Sequence, residues 1–168
     1  GKTTDYVSLN GSLVAKRSTT IGGNTWTTSY EHTDALHSPV TETDASGVAS
    51  RVERYTPYGE PGDNSYVQGP GFTGHVTDAA TGLTYAQQRY YDPVVGRFLS
   101  VDPMEANGNT GAGFNRYDYA GNNPYSFTDP DGREVTAIYS HDNESLFMVD
   151  NDTRQSAFVQ AESGGKPF

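Results

Sequence analysis

Short runs of alternating apolar and polar residues, separated by turn residues, dominate this chain. Residues 6–17 (YVSLNGSLVAKR) hold two such runs around Asn10-Gly11, a strong hairpin signal because both residues tolerate positive φ. Residues 25–31 predict a third strand, and residues 38–61 indicate strand, turn and strand around Asp44 to Gly47. A short helix is the alternative near 84–91, but strand is favoured there. The pattern therefore predicts an all-β protein of antiparallel hairpins.

The hairpin pattern repeats along most of the chain. A strand, an Asp- and Gly-containing turn and a strand ending in Tyr recur roughly every 15–20 residues, a spacing at which neighbouring hairpins stack on one another. This rhythm stops at Gly132, where we place a boundary. Residues 133–168 predict further hairpins, with polar turns at Asp142-Asn143 and Asn151-Asp152.

Composition agrees with this interpretation and excludes several kinds of site. Among 168 residues there are 12 Tyr, which suit half-buried sheet positions, and 19 Gly, which suit turns. The net charge of −10 argues against nucleic-acid binding by this segment, because phosphate contacts need clustered Lys and Arg. There is no Cys, and the 4 His lack metal-ligand spacing, so we expect no metal and no other cofactor.

Targeting signals are also missing from the sequence. No run of about 18 apolar residues predicts a membrane-spanning helix. The chain opens with GKTTDYVSLNG, which has neither a Met nor a signal peptide. We expect it to be a piece of a longer polypeptide.

Residues 97–132 hold the candidate chemistry. Two Asp-Pro pairs, at Asp102 and Asp129, bracket alternating aromatic residues and an Asn-Asn-Pro turn. An aspartyl protease needs two carboxylates about 3 Å apart that share one proton, and a fold-back of the chain would bring these two together. The alternative is that both pairs only start turns. Arg97 is either a partner of one carboxylate or a surface strand residue.

Four segments together resemble a known family. They are HTDALHSPVTETDASG, RYTPYGEP, GFTGHVTDAATGLTYAQQRYYDPVVGRFLSVDP and NRYDYAGNNPYSFTDPDG. They are similar to the end of the YD-repeat shell and the following core of Rhs polymorphic toxins, over about residues 6–132. The resemblance implies a long β-sheet that forms a hollow shell, a core that plugs one end, and a C-terminal toxin held inside. It implies shell hairpins at 1–71, the Rhs-associated core at 72–132, and the start of the variable toxin region at 133–168.

The resemblance also implies an aspartyl autoprotease in the core that frees the toxin within the shell. The family motif R-x-x-x-x-D-P places one catalytic residue at Asp102, and the motif D-P-x-G places the other at Asp129. The cleavage site then spans Gly132, Arg133 and Glu134, with the scissile bond after residue 133. The usual Leu of the family is Arg133 here. We therefore expect slow or absent cleavage, with Arg133 turned to solvent or paired with an acid such as Asp131.

Two functions follow as hypotheses. One is an encapsulation module with a self-cleaving site, in an interbacterial or insecticidal toxin that a bacterium secretes or injects. The other is a purely structural YD-repeat module of a surface or wall protein, which caps a shell without cleaving. The expected partners are the rest of the chain's own shell and its own C-terminal toxin. A secretion apparatus, such as that of type VI secretion, and an immunity protein are further candidates.

Overall fold

The computed structural model of the protein describes residues 1–9, 12–103 and 114–133, together with the strands at 136–137, 145–150 and 155–160. The chain divides into two units, Gly1–Thr84 and Tyr85–Phe168, and each is described by itself. The domain limits predicted at 71 and 132 stay a prediction. The predicted turns at Asn10-Gly11, Asp142-Asn143 and Asn151-Asp152 lie outside the described residues.

The first unit is built on a five-stranded antiparallel sheet whose strands follow chain order. The strands are β1 (Lys2–Leu9), β2 (Ser12–Thr20), β3 (Thr27–Thr33), β4 (Pro39–Thr43) and β5 (Ala49–Val52). Asp residues shape the connections. Asp44 Oδ1 accepts hydrogen bonds from the N–H groups of Ser46 and Val48, at 2.8 and 3.0 Å, and Gly47 takes a φ of +79°. The predicted turn at 44–47 is confirmed.

A short hairpin follows in the same unit. Strands β6 (Gly69–Pro70) and β7 (Val76–Asp78) pair antiparallel. Between them lies a 3-10 turn at Phe72–Gly74, whose Phe72 is 3% exposed and contacts the ring of Tyr55 with a centroid distance of 5.8 Å. An aromatic side chain thus forms a local core beside the turn.

The second unit begins inside strand β8 (Leu83–Ala86). Strand β9 (Arg89–Asp92) lies between β8 and β10 (Arg97–Phe98) in the sheet. Residues 84–86 and 89–91 therefore lie in strands joined by a turn at 87–88, so the stretch is not a helix and the preference for strand is confirmed. Tyr91, Phe98 and Tyr119 are each at most 2% exposed and pack together, with ring centroids 4.6 Å apart for Tyr91 and Tyr119. These aromatic rings are the core against which the candidate site is built.

The remaining strands form two hairpins. Strand β11 (Phe127–Thr128) pairs antiparallel with β12 (Thr136–Ala137), so Gly132 lies in the connection between paired strands. Strand β13 (Ser145–Asp150) pairs with β14 (Gln155–Gln160). The described residues contain strands and two 3-10 turns but no α-helix, which confirms the all-β antiparallel fold. None of their helical segments is long and apolar enough to cross a membrane.

Candidate functional site

The site is built around Arg89, the first residue of β9. Side chains alternate along this strand, so that Arg89 and Tyr91 face the buried side while Tyr90 is exposed. Arg89 is 3% exposed, and its guanidinium carbon lies 3.5 Å from the centroid of the Phe98 ring. A buried guanidinium stacked on an aromatic face is held in one orientation, and its charge must be matched by nearby acceptors.

Arg89 joins the Asp residues of the two Asp-Pro pairs. Its Nη2 atom lies 3.0 Å from Asp102 Oδ2 and 3.2 Å from Asp129 Oδ2. The side chain of Asp129 is 2% exposed, and that of Asp102 is 14% exposed. The chain therefore folds back so that both carboxylates meet at one nitrogen.

The same guanidinium also contacts the main chain. Its Nε donates to the carbonyl oxygen of Gly132, and its Nη1 donates to the carbonyl oxygen of Arg116 at 3.2 Å. Asp129 Oδ1 accepts a hydrogen bond of 2.8 Å from the Gly132 N–H. Gly132 has a φ of +78°, and an added Cβ would collide with the carbonyl oxygen of Ala86. Only glycine fits this tightly held position beside the carboxylates.

Arg116 holds the backbone of Asp102. Its Nε donates to the Asp102 carbonyl oxygen at 3.1 Å, and its Nη2 donates to the same oxygen. The Asp102 N–H in turn donates to the Arg116 carbonyl oxygen at 2.9 Å. Three hydrogen bonds between these two residues position the less buried of the two carboxylates.

Arg97, the arginine that the sequence offers as a partner of one carboxylate, stands on β10. Arg97 is exposed on β10, opposite Asp118 in an isolated antiparallel bridge. Burial raises the pKa of Asp118, which Arg97 and Arg89 oppose through their charges. The guanidinium that contacts both carboxylates is thus that of Arg89 rather than Arg97.

Arg133 is paired at the surface. Its Nη2 lies 2.8 Å from Asp131 Oδ2, and its side chain is 43% exposed. This pairing is one of the two arrangements expected for a cation in place of Leu. Glu134, the third residue of the predicted cleavage site, lies outside the described residues.

The arrangement brings together groups that can act in the hydrolysis of a peptide bond. A carboxylate can take a proton from water, and a fixed cation can stabilise negative charge as it develops. Both lie beside a main-chain carbonyl, that of Gly132. Within the described parts of the chain, no group of three or more His, Asp or Glu is placed to hold a metal ion.

Comparison with known proteins identifies the family. The Teneurin YD-shell family model matches residues 26–125, which include Arg89 and Asp102. The chain belongs to the Teneurin YD-shell family. The resemblance to the Rhs/YD-repeat toxins is thereby confirmed.

Individual relatives agree with the Teneurin YD-shell assignment. Double-stranded DNA deaminase toxin A of Burkholderia cenocepacia (strain H111) is 38% identical over 108 residues, which cover 60% of this chain and 7% of that protein. Toxin subunit YenC1 of Yersinia entomophaga is 36% identical over 114 residues, which cover 61% of this chain and 11% of that protein. The chain thus spans a small part of the length of these relatives.

A solved structure supports the YD-shell fold. The crystal structure of TcdB2-TccC3 aligns with a TM-score of 0.62 and 29% identity, over 77% of this chain and 6% of the matched chain. The fold of the described strands therefore also occurs in this solved structure.

Proposed function

We propose that this chain closes the shell of a toxin-encapsulating protein and carries an aspartyl self-cleavage site at Asp102 and Asp129. The observation that supports cleavage most is the meeting of both carboxylates at one buried guanidinium that also contacts Gly132. The proposed partners are the rest of the chain's own shell and the toxin that follows it. A bacterium delivers the protein outward, as the toxin relatives suggest, with a secretion apparatus and an immunity protein as further partners.

The proposed substrate is the chain itself, because the segment before residue 133 is held against the site. The Gln88 N–H donates to the Asp131 carbonyl oxygen at 3.2 Å, and Gln87 Nε2 donates to the Pro130 carbonyl oxygen at 3.2 Å. Together with the contacts of Gly132, these bonds fix the turn that follows Asp129. Holding reactants in place replaces an encounter in solution and lowers the barrier to reaction.

Arg133 slows the proposed cleavage of the 133–134 bond. An apolar side chain at this position can enter an apolar pocket, whereas burying an unpaired guanidinium costs several kcal/mol. Arg133 instead pairs with Asp131 at the surface. A displacement of the reacting carbonyl by about 1 Å can reduce the rate roughly a hundredfold. The same observation favours the second candidate function, in which the core caps the shell without cleavage.

The test is self-cleavage of the full-length protein in which Arg133, the residue that slows the proposed cleavage, is replaced by Leu. In the Arg133→Leu variant we expect cleavage after residue 133. Intact mass and sequencing of the new N-terminus detect this cleavage. Adding Asp102→Asn and Asp129→Asn together should leave one uncleaved species. The matched control is Asp44→Asn, which changes an Asp of a sheet turn and should leave cleavage unchanged. Cleavage that persists in the double variant would assign the reaction to other residues.

A further inference from the structure

We propose that a cavity beside Glu53 and Tyr55 in the first unit binds a primary ammonium group, the charged head of a free alkylamine or of a lysine side chain. The inference uses no residue of the Arg89 cluster and does not depend on the proposed self-cleavage. It rests on a buried carboxylate, on the hydroxyl groups around it and on the apolar part of the cavity wall.

The cavity is formed by residues between the end of β5 and the first residues of β8. Its wall includes Glu53, Tyr55, Tyr66, Thr77 and Thr84, which all belong to the first unit. The cavity has a volume of about 320 Å³ and opens to solvent, and its enclosed part is about the size of one water molecule. It therefore admits a small head group whose chain leads outward.

Glu53 supplies a buried negative charge. The residue is only 6% exposed, and its carboxylate forms no ion pair with another described residue. Its Oε1 accepts a hydrogen bond of 3.2 Å from the Arg54 N–H, which is the one hydrogen bond that this carboxylate makes within the described residues. Burying a charge without a partner is costly, so the second oxygen, Oε2, favours a cationic donor that enters the cavity.

The charges around Tyr55 also favour a cation. Burial, and then the charge of Glu53, raise the pKa of Tyr55 to about 12, so its hydroxyl stays protonated and neutral. Asp34 and Glu31 act in the same direction as Glu53, while Arg51 opposes them. Glu31 has an ion pair of its own in the sheet. Glu53 and Asp34 therefore outnumber Arg51 among the charges that act on Tyr55, and the field at the cavity is negative.

Hydroxyl oxygens complete the set of acceptors. Tyr55 and the two buried threonines, Thr77 and Thr84, line the same cavity as the Glu53 carboxylate. An added Cβ at Gly71 would collide with Thr77 Oγ1, so glycine at this position leaves the hydroxyl its place in the wall. A primary ammonium carries three N–H donors, which match a carboxylate oxygen and neighbouring hydroxyl oxygens.

Apolar groups in the cavity wall favour an alkylamine over a bare ion. Pro61, Val67, Pro70 and the ring-bearing Tyr66 line the cavity together with the polar groups. Methylene groups of an amine gain from contact with such surfaces, whereas Na⁺ or K⁺ has no chain to bury. Nor does the part of the chain that the structure describes group three His, Asp or Glu for a metal ion. A quaternary ammonium has no N–H donor and a head larger than the enclosed part of the cavity.

The experiment is saturation-transfer NMR on the full-length protein, which suits weak ligands of a large molecule. The probe is n-butylammonium chloride, and we expect the strongest transfer at the methylene group next to its nitrogen. Tetramethylammonium chloride and matched NaCl control for charge alone. A cavity that holds only water predicts no preference for butylammonium. Equal binding of butylammonium and tetramethylammonium, or no binding of butylammonium, would overturn the proposal.

Variants assign the binding to this cavity. Glu53→Gln should weaken butylammonium binding by about tenfold or more, because a hydrogen bond to a charged group is lost. Tyr55→Phe removes one neutral acceptor and should weaken it by about two- to tenfold. The matched control is Glu60→Gln, which removes a carboxylate of the same segment that does not line the cavity and should leave binding unchanged. Equal effects of Glu53→Gln and Glu60→Gln would overturn the assignment.

Melting temperature provides a second measurement on the same proteins. A ligand that binds only the folded state stabilises it, so butylammonium should raise the melting temperature of wild type and of Glu60→Gln. It should raise that of Glu53→Gln much less. The melting temperatures without ligand also show whether Glu53→Gln is folded. If it is not, Tyr55→Phe decides the assignment, and unchanged binding in that variant would overturn it.

Two further probes distinguish the sources of the ammonium group. N-acetyl-lysine methylamide carries the head group on a four-carbon chain that ends in a peptide backbone, whereas putrescine is a free amine. Binding of the lysine probe as tightly as butylammonium assigns the cavity to a lysine side chain. Binding of putrescine and butylammonium but not of the lysine probe assigns it to a free amine.

Discussion

Two regions of the molecule each hold one cation between two carboxylates. In the sheet of the first unit, Lys16 Nζ contacts Glu31, at 3.0 Å, and Glu42. In the second unit, Arg89 contacts Asp102 and Asp129. The charges are the same, but only the second cluster is a candidate reaction site.

The difference lies in what builds each cluster. Lys16, Glu31 and Glu42 stand on three neighbouring strands, with Glu31 directly opposite Glu42, so strand register alone brings them together. The Arg89 cluster joins segments far apart in sequence and bonds to the main chain of Gly132 and Arg116. The Arg89 cluster is therefore the candidate site because it holds a peptide group beside its carboxylates, and not because of its charges alone.

The largest effect should come from removing each cation. Arg89→Met leaves two buried carboxylates without their cation, and we expect a loss of about 3–5 kcal/mol in unfolding free energy. The side chain of Lys16 is 22% exposed, so water can replace part of its contacts and Lys16→Met should cost only about 1–3 kcal/mol. Denaturant unfolding of the full-length protein measures both. Equal losses in unfolding free energy for Arg89→Met and Lys16→Met would contradict the difference proposed between the two clusters.

A smaller difference in stability should distinguish Ala substitutions at two glycines that share the same backbone conformation. Gly132→Ala and Gly47→Ala both place a side chain at a φ near +80°, which costs about 1–2 kcal/mol for each residue. An added Cβ at Gly47 meets nothing within 4 Å, whereas at Gly132 it collides with the Ala86 backbone.

The loss in melting temperature should therefore be larger for Gly132→Ala. Self-cleavage in the Arg133→Leu background should fall for that variant and stay unchanged for Gly47→Ala. A melting temperature for Gly132→Ala no lower than that of its control would show that the turn beside Asp129 can relax.

The smallest effect concerns acid stability of the sheet cluster. Burial by itself would raise the pKa of Glu42, but its hydrogen bond from Lys16 keeps this pKa below the ordinary value of 4.5. A carboxyl with a lowered pKa stabilises the fold above its unfolded pKa, and this stability is lost as pH falls through the folded pKa.

Lys16→Met should therefore flatten the fall in unfolding free energy between neutral and acidic pH, by no more than about 1 kcal/mol because the pair is partly solvated. The difference should shrink in high salt. An unchanged acid slope would contradict the role given to Lys16.

The hairpins could be predicted because their signals are local. The Asp44–Gly47 turn needs only its own residues. Strand was favoured over helix at 84–91, but the turn at 87–88 that divides this stretch into β8 and β9 was not predicted. The approach of Asp102 to Asp129 depends on a long fold-back that no local pattern specifies. The family resemblance, rather than periodicity, gave that expectation.

Arg89 was missed although a signal for it exists. In the run RYYD, strand alternation places Arg89 on the same face as Tyr91, and a strand Arg on an apolar face needs buried acceptors. Arg97 precedes the buried Phe98 and therefore faces the other way. If the burial of Tyr91 were known from the sequence, Arg89 could be predicted as the buried arginine. Tertiary packing, however, decides which face a short strand buries.

The central claim is that the Asp102 and Asp129 site cleaves its own chain when residue 133 permits. Intact mass of the full-length protein tests it most directly, with wild type, Arg133→Leu, and Arg133→Leu combined with Asp102→Asn measured side by side. We predict one predominant species spanning residue 133 in wild type, two species split after residue 133 in Arg133→Leu, and one species again in the combined variant. An Arg133→Leu protein that stays in one piece would contradict the claim, and a wild type that is already fully split would contradict the role assigned to Arg133.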